Sequence, residues 1–307
     1  MERIARPLRQ MGAEVRTTDG RPPVVVRGGS LHGVEHRTAV PSAQVKGSVL
    51  LAGLRAEGLT TVIEPADTRD HTERALAELG GPVTVEPNRV SVRAFQPPAF
   101  AAAVPGDVSS AAFLVSAAAI TGGELLVKDV GLNPSRTRFL DVLRRFGVRV
   151  EGRPHGSDLG EPIGELFVRA ASVLRGTVVP AEEVPLVIDE IPALAAIAAH
   201  AEGETRFERV AELRVKESDR LQGTARAIRG LGGHAEVHGE NLVIGGGGLE
   251  GGSATADLDH RMAMALAVAA LGARGPSRID GTESAEVSFP GFLEVLSRLG
   301  ARIEVEG

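Results

Sequence analysis

Leu76-Ala-Glu-Leu-Gly80 ends an amphipathic helical pattern at a glycine, and an extended run follows it. The same kind of sequence occurs five times, at residues 8–12, 76–80, 143–147, 228–232 and 296–300. Successive glycines of this motif lie 68, 67, 85 and 68 residues apart. Such regular recurrence indicates a protein built from structural repeats.

A second, more apolar helix recurs in the same rhythm and also ends at a glycine each time, at residues 45–58, 111–122, 191–203 and 261–275. Its third copy is apolar on nearly every side, which a helix tolerates only when protein surrounds it. We therefore predict an α/β protein of βαβ-type repeats in which these helices lie inside. Five amphipathic copies meet only four apolar ones, so we expect the chain to open in mid-repeat.

The composition limits the class of protein. The 307 residues include 43% hydrophobic residues and no Cys, which excludes disulfides and thiolate metal sites in this chain and fits a reducing cytoplasm. We find no signal-peptide pattern after Met1 and no apolar stretch of the roughly 20 residues that cross a bilayer. A net charge of -6, without Trp or Tyr, argues against a nucleic-acid surface. We expect a cytoplasmic protein that binds neither nucleic acid nor membrane.

Two stretches interrupt the repeat pattern. Residues 95–105 are rich in Pro and lie between two repeat units, so we place a domain boundary near residue 103. The prediction is a partial first domain at 1–103 and a second domain at 104–307. Residues 153–162 are polar and rich in Gly and Pro, and we interpret them as a surface insertion.

Each apolar helix starts with a polar residue. These residues are Gln44, Asp107, Asp189 and Asp259. Polar side chains at a helix start are first of all caps for unpaired backbone N–H groups. Several such helix starts in one place would instead form an anion site, because each carries a partial positive charge. The sequence leaves both interpretations open.

Charged residues open two of the amphipathic helices, at 68–73 and 213–220. Such runs are usually solvated helix faces. Lys216 and Arg220 are four residues apart, so on a helix they would share a face and could bind one anion. Arg261 stands at the positive end of a buried helix, where a cation is unfavourable unless an anion joins it. The alternative for Arg261 is a local salt bridge with Asp257 or Asp259.

Eight segments, in order, resemble one known family. They are Pro41-Ser-Ala-Gln-Val-Lys46, Thr68-Arg-Asp-His-Thr-Glu73, Pro105-Gly-Asp-Val-Ser-Ser110, Asn133-Pro-Ser-Arg-Thr137, Ile188-Asp-Glu-Ile-Pro192, Leu213-Arg-Val-Lys-Glu-Ser-Asp-Arg220, Asp259-His-Arg-Met262 and Ser288-Phe-Pro-Gly-Phe292. On these segments the chain is similar to the 3-phosphoshikimate 1-carboxyvinyltransferases, the EPSP synthases, over essentially its whole length.

The resemblance implies a two-domain inside-out α/β barrel of βαβ-type repeats, with the first domain incomplete here. It implies transfer of the enolpyruvyl group of phosphoenolpyruvate to the 5-hydroxyl of shikimate 3-phosphate with loss of phosphate, in aromatic amino-acid biosynthesis through chorismate. The implied partners are these two small molecules. No metal or organic cofactor is needed, and we expect a monomer.

The resemblance also implies roles for individual residues. Ser42, Ala43, Gln44 and Arg69 correspond to contacts with shikimate 3-phosphate in the first domain. Asp189, with Lys216 beside it, corresponds to the carboxylate that orients and deprotonates the 5-hydroxyl. Glu217 corresponds to the acid/base that protonates the methylene carbon of phosphoenolpyruvate. Arg220 and Arg261 correspond to the groups that hold its phosphate and carboxylate.

The chain departs from the family pattern at a few points. The Lys-Ser-x-Ser-x-Arg segment and the Asn-Ala-Gly-Thr loop of the family are not found in it, so we expect an amino-terminally shortened chain with impaired activity. Thr68 stands where Ser is usual, and Val287 where some members carry Lys. The alternatives are a non-catalytic fragment that only binds shikimate 3-phosphate, and UDP-N-acetylglucosamine enolpyruvyl transferase, which has the same fold.

Overall fold

The computed structural model describes residues 1–306. Packing divides the chain into two compact units. Unit 1 comprises residues 1–104 and 157–162, and unit 2 comprises residues 105–156 and 163–307. The stretch at 153–162, interpreted as a surface insertion, lies at the surface and forms the outer part of a β-hairpin, with the turn at residues 159–160.

Unit 1 alternates helices with short strands. In chain order they are α1 (Glu2–Gln10), β1 (Glu14–Thr18), β2 (Arg21–Arg27), β3 (Leu31–His32), β4 (Glu35–Arg37), α2 (Ala43–Gly53), β5 (Ala56–Glu57), β6 (Thr60–Ile63), α3 (His71–Glu78), β7 (Val83–Glu86) and β8 (Arg89–Val92). The apolar cluster of this unit packs Val49 and Leu50 of α2 against Val62 of β6 and Leu76 of α3.

Unit 2 continues the same alternation over a longer chain. Its elements are α4 (Val108–Thr121), β9 (Glu124–Gly131), α5 (Phe139–Arg145), β10 (Arg149–Asp158), β11 (Glu161–Arg169), β12 (Val178–Val179), α6 (Val184–Val187), α7 (Ile191–His200), β13 (Glu204–Phe207), α8 (Arg220–Gly230), β14 (His234–His238), β15 (Asn241–Gly245), β16 (Gly252–Thr255), α9 (His260–Ala270), β17 (Ser277–Asp280) and α10 (Phe292–Arg298). The outer ends of β10 and β11 are grouped with unit 1. Two 3-10 turns, Ala211–Val215 and Thr282–Val287, precede α8 and α10.

The repeat is visible in the topology of the sheets. One four-stranded sheet has the order β4-β6-β8-β7 and another has the order β12-β13-β15-β14. In both, the first two strands are parallel and the last two form an antiparallel hairpin. The same strand order in the two units is what a repeated βαβ-type segment predicts.

The apolar helices lie inside the protein, as their sequence predicts. Every residue of α7 except His200 is buried, and α7 packs against both α4 and α9. Side chains on all sides of such a helix are removed from water, so an apolar residue is favoured at every position. The burial of α7 fixes the position of its amino-terminal end, where Asp189 lies.

The motif glycines end helices in the left-handed conformation. Gly12, Gly80, Gly147, Gly232 and Gly300 all have φ between 76° and 105°. At Gly232 a Cβ atom would also lie 2.8 Å from the Cβ of Glu250, so both backbone and space require glycine there. The extended run predicted after Gly300, at residues 301–306, is not a strand. Within residues 1–306 the helices are too short or too polar to cross a membrane.

Candidate active site

Four loops and helix starts of unit 2 bring charged side chains together. Asp189 lies in the turn before α7, and Lys216 and Glu217 follow the 3-10 turn Ala211–Val215. Arg220 is the first residue of α8, and Arg261 lies in the first turn of α9. Residues far apart in sequence meet here because α7, α8 and α9 pack against one another.

Lys216 and Asp189 form an ion pair. The Lys216 Nζ lies 3.2 Å from Asp189 Oδ1, with the two side chains 22% and 17% exposed. Partial burial strengthens the attraction relative to a surface pair, because less water screens the charges. The carboxylate of Asp189 is therefore held beside a cation while part of it remains accessible.

Arg220 is a fully buried arginine with two acidic partners. Its Nε and Nη2 donate to the two oxygens of Asp259 at 2.8 and 3.0 Å, and Nη2 lies 2.6 Å from Glu217 Oε2. Burial by itself would raise the pKa of Asp259, but the hydrogen bonds and charge of Arg220 outweigh it and hold that pKa below its ordinary value. Asp259 is buried, whereas the Glu217 side chain is 54% exposed.

Arg261 is bound to the chain segment that carries Asp189. Its Nη1 donates to the backbone oxygen of Asp189 at 2.9 Å and lies 3.8 Å from Glu190 Oε1. The expected alternative, a salt bridge with Asp257 or Asp259, is wrong. Asp257 binds Arg226, and Asp259 binds Arg220.

The placement of Lys216 and Arg220 on one helical face is also wrong. Residues 216–219 are not helical, and α8 begins only at Arg220. Lys216 ends the 3-10 turn in an extended conformation, so its side chain pairs with Asp189 while Arg220 pairs with Asp259. A turn between the two residues, and not a helix, brings both into the cluster.

The polar helix starts differ in what they do. Asp107 and Asp259 are N-caps whose carboxylates accept backbone N–H groups of α4 and α9. Gln44 is not a cap, because Ser42 holds that position and accepts from the N–H of Val45 at 3.4 Å. Asp189 is not a cap either, since Glu190 occupies the N-cap position of α7 without a capping bond. The Asp189 carboxylate instead forms an ion pair with Lys216.

The expected phosphate contacts of unit 1 lie at one helix start and one loop. Ser42, Ala43 and Gln44 form the beginning of α2, where backbone N–H groups and the helix dipole favour an anion. The Ser42 hydroxyl donates to Gln44 Oε1 at 3.4 Å. Arg69 lies in the loop between β6 and α3.

Sequence analysis missed two buried polar networks. In unit 1, Lys46 pairs with Glu64 and Glu73, and all three side chains are buried. In unit 2, buried Glu190 accepts from the Ser109 hydroxyl at 2.5 Å. The lysine in the largely apolar sequence of α2 could have indicated the first network. No pattern in the sequence indicated the second one, between Glu190 and Ser109.

One family model matches residues 1–296, that of EPSP synthase (3-phosphoshikimate 1-carboxyvinyltransferase). A 3-phosphoshikimate 1-carboxyvinyltransferase of Halorhodospira halophila is 47% identical over 312 aligned residues, covering 100% of this chain and 70% of that protein. A Thermus thermophilus protein of the same name is 48% identical over 98% of this chain and 71% of its own length.

Solved structures give the same result. An EPSP synthase of Acinetobacter baumannii matches with a TM-score of 0.90 and 42% identity, over 100% of this chain and 72% of that one. The enolpyruvyl transferase NikO of Streptomyces tendae matches with a TM-score of 0.76 and 22% identity, over 99% of this chain and 72% of that one. At that identity the NikO likeness shows a shared fold only.

Proposed function

The chain belongs to the EPSP synthase family, and from that membership we propose which of its residues bind the two substrates and move the protons. The enzyme is a 3-phosphoshikimate 1-carboxyvinyltransferase. It transfers the enolpyruvyl group of phosphoenolpyruvate to the 5-hydroxyl of shikimate 3-phosphate and releases phosphate, in the shikimate pathway of aromatic amino-acid biosynthesis.

The reaction needs one base and one acid. The 5-hydroxyl oxygen forms a bond to C2 of phosphoenolpyruvate as the hydroxyl loses its proton, and C3 gains a proton to become a methyl group. Phosphate then leaves C2 with the electrons of the C–O bond, and C3 gives up a proton to restore the double bond. Two carboxylates in unlike surroundings suit these opposite proton transfers.

Asp189 is the proposed base for the 5-hydroxyl. Its carboxylate lies beside the Lys216 ammonium group and can accept a hydrogen bond and a proton from an alcohol. Lys216 then supplies positive charge beside the oxygen that becomes the nucleophile. Because the Lys216 and Asp189 side chains are largely buried, few water molecules compete with the 5-hydroxyl for the carboxylate.

Glu217 is the proposed acid that protonates C3 and later recovers the proton. Its side chain is the most exposed of the cluster, so its carboxyl group can reach a ligand. The contact with Arg220 gives Glu217 surroundings different from those of Asp189, which pairs with a lysine. The two carboxylates therefore have the unlike surroundings that opposite proton transfers need.

The remaining candidates bind anions. Arg220 and Arg261 are the proposed ligands of the phosphate and carboxylate of phosphoenolpyruvate, since fixed guanidinium groups match both anions geometrically. Ser42, Ala43, Gln44 and Arg69 are the proposed contacts of shikimate 3-phosphate. Unit 1 thus carries the shikimate-phosphate contacts, and unit 2 carries the acid/base residues and the phosphoenolpyruvate contacts.

The observation that carries these assignments is the pairing of two carboxylates with two different cations in unit 2, Asp189 with Lys216 and Glu217 with Arg220. The test measures phosphate release with both substrates. We expect Asp189→Asn and Glu217→Gln to lower kcat by roughly 10²- to 10⁴-fold, the usual contribution of acid/base groups. The exposed Glu236→Gln change in β14 is the matched control and should leave kcat unchanged.

A solvent-isotope measurement separates the two roles. In D2O the wild-type enzyme should place deuterium in the vinyl group of the product, because C3 gains and then loses a proton. Glu217→Gln should suppress this incorporation together with turnover. Wild-type kcat in either variant would refute the corresponding assignment.

The other candidate functions are not favoured. The family match spans residues 1–296, and the named relatives are 3-phosphoshikimate 1-carboxyvinyltransferases, not UDP-N-acetylglucosamine transferases or non-catalytic fragments. The cytoplasmic location and the monomeric state stay predictions from the sequence.

A further inference from the structure

Three charged side chains are buried together in unit 1 and lie outside the proposed substrate contacts. Lys46 Nζ lies 2.9 Å from Glu64 Oε2 and 2.7 Å from Glu73 Oε1. The three residues are only 3%, 6% and 4% exposed. We call them the Lys46 triad.

Burying this triad is costly. Each charge loses its hydration, and attraction between the partners offsets that loss only when the geometry is good. The triad also carries one more negative than positive charge, and Glu73 Oε2 is a buried oxygen without a hydrogen-bond partner among residues 1–306. Apolar residues would fill this space at a lower desolvation cost, so stability alone does not account for the triad.

Burial by itself would lower the pKa of Lys46, but its hydrogen bonds to Glu73 and Glu64 outweigh the burial and hold that pKa above its ordinary value. Lys46 is therefore a cation throughout the working pH range of the protein. Lys46 therefore binds Glu64 and Glu73 through short, charged hydrogen bonds, which have a fixed direction.

The triad joins three separate backbone segments. Lys46 belongs to the first turn of α2, and its N–H donates to the carbonyl oxygen of Ser42. Glu64 directly follows β6, and its Oε1 accepts from the Thr68 hydroxyl at 2.7 Å. Glu73 belongs to the first turn of α3.

These segments are the ones that carry the proposed shikimate 3-phosphate contacts. Ser42 is the N-cap of α2, and Ala43 and Gln44 are in the same first turn as Lys46. Arg69 follows Thr68, whose hydroxyl donates to Glu64. It precedes α3, the helix that contains Glu73. One ammonium group thereby connects the helix start on one side with both ends of the Arg69 loop on the other.

We propose that Lys46 is a positioning residue for shikimate 3-phosphate, which through Glu64 and Glu73 sets the distance between the start of α2 and the Arg69 loop. This inference rests on the proposed role of Ser42, Ala43, Gln44 and Arg69. Lys46 itself is buried behind the helix start and does not touch the ligand.

The first test is Lys46→Met, which keeps an unbranched side chain, one atom shorter, and removes the charge. We expect the KM for shikimate 3-phosphate to rise roughly 10- to 100-fold, since a displacement of about 1 Å in a binding group has effects of that size. The KM for phosphoenolpyruvate should change much less, because its proposed contacts belong to unit 2. Isothermal titration calorimetry with shikimate 3-phosphate should show the same rise in Kd.

A second variant separates positioning from stability. Lys46→Met leaves two buried carboxylates unpaired and can unfold unit 1, so Lys46→Met with Glu64→Gln and Glu73→Gln removes all three charges together. We expect this triple variant to have a higher Tm than Lys46→Met and still bind shikimate 3-phosphate weakly. Wild-type affinity in the triple variant would overturn the proposal.

Leu50→Ala is the matched destabilised control. Leu50 is fully buried in the same helix but is not in the triad. We expect this variant to lower Tm while leaving the KM for shikimate 3-phosphate unchanged in the folded protein. An equal rise in KM in Leu50→Ala would reduce the Lys46 effect to general destabilisation and overturn the proposal.

Arg69→Ala distinguishes failure of this inference from failure of the proposed function. Weak binding in Arg69→Ala, together with normal binding in the triple variant, would overturn only the role of Lys46. Wild-type affinity in Arg69→Ala would overturn the proposed binding residues, and the inference with them.

Discussion

At the scale of single residues, Arg220 determines the character of the unit 2 cluster. Its side chain is 1% exposed, and the two oxygens of Asp259 bind its guanidinium group in a bidentate pair. An arginine cannot lose its charge at physiological pH, so it is tolerated in the interior only with such a partner. Asp259 consequently has two tasks, since it also caps α9.

We predict that Asp259→Asn lowers the free energy of unfolding by about 3–5 kcal/mol at pH 7, the usual result of removing the buried partner of a buried charge. The remaining partner of Arg220, Glu217, is 54% exposed and binds only Nη2. Asparagine still caps a helix, so the change isolates the ion pair. Denaturant unfolding provides the measurement. Asp257→Asn, which breaks a more exposed pair with Arg226, should cost no more than about 1 kcal/mol.

The same pair predicts a pH dependence. The folded-state pKa of Asp259 lies below the ordinary value of 3.8, so the pair stabilises in full above that value. The stabilisation is lost as the pH falls through the lower folded-state pKa. We expect the stability difference between wild type and Asp259→Asn to shrink below about pH 4, measured by unfolding at a series of pH values. A difference that stays constant down to about pH 2 would contradict this account.

At the scale of elements, the helix ends set the repeat. Gly122 ends α4 and Gly232 follows α8, both with φ of 78°. Their surroundings differ, because a Cβ atom at Gly122 would meet no described atom within 4 Å, whereas at Gly232 it would meet Glu250 at 2.8 Å. The two positions therefore separate backbone strain from lack of space.

We predict that Gly122→Ala costs about 1–2 kcal/mol of stability, which is the strain of a left-handed alanine. Gly232→Ala should cost more, by at least roughly 1 kcal/mol, because the neighbouring backbone at Glu250 has to shift as well. Denaturant unfolding of both variants compares the two effects within unit 2. Equal losses would mean that the contact with Glu250 relaxes without cost.

At the scale of the whole molecule, the two units differ in their cores. The apolar cluster of unit 2 runs through α4, α7 and α9, whereas that of unit 1 is much smaller and centres on α2. Unit 1 also buries the charged Lys46 triad. Local opening is easiest where few apolar groups are buried.

We predict that backbone amides of α2 exchange with solvent deuterium faster than those of α7. Hydrogen exchange followed by mass spectrometry of peptides from the two helices measures the difference. Saturating shikimate 3-phosphate should slow exchange in α2, because a ligand that binds only the folded state stabilises it. Equal protection of the two helices in the free protein would contradict the prediction.

The sequence by itself determined the class of fold, the repeat and the buried helices. These are local properties, since the spacing of apolar residues and the glycine at a helix end act within a few residues. Both ends of α4 follow from such local signals, the cap Asp107 and the terminal glycine Gly122, and the start of α9 follows from its cap Asp259. Helix α7 has neither a capping bond nor a glycine at its end, so its apolar sequence predicts the helix but not its bounds. The family and its reaction could also be predicted from the sequence, because eight ordered segments resemble that family.

Only the tertiary structure decided which charged groups are partners. The sequence left open a salt bridge of Arg261 with Asp257 or Asp259 as the alternative to an anion site, whereas the fold joins Arg261 to the backbone of Asp189, 72 residues away. Likewise Lys46 meets Glu64 and Glu73 through the packing of α2 against β6 and the start of α3. Two charges interact strongly only when they lie within a few ångströms of each other. The number of residues between them along the chain does not determine that distance.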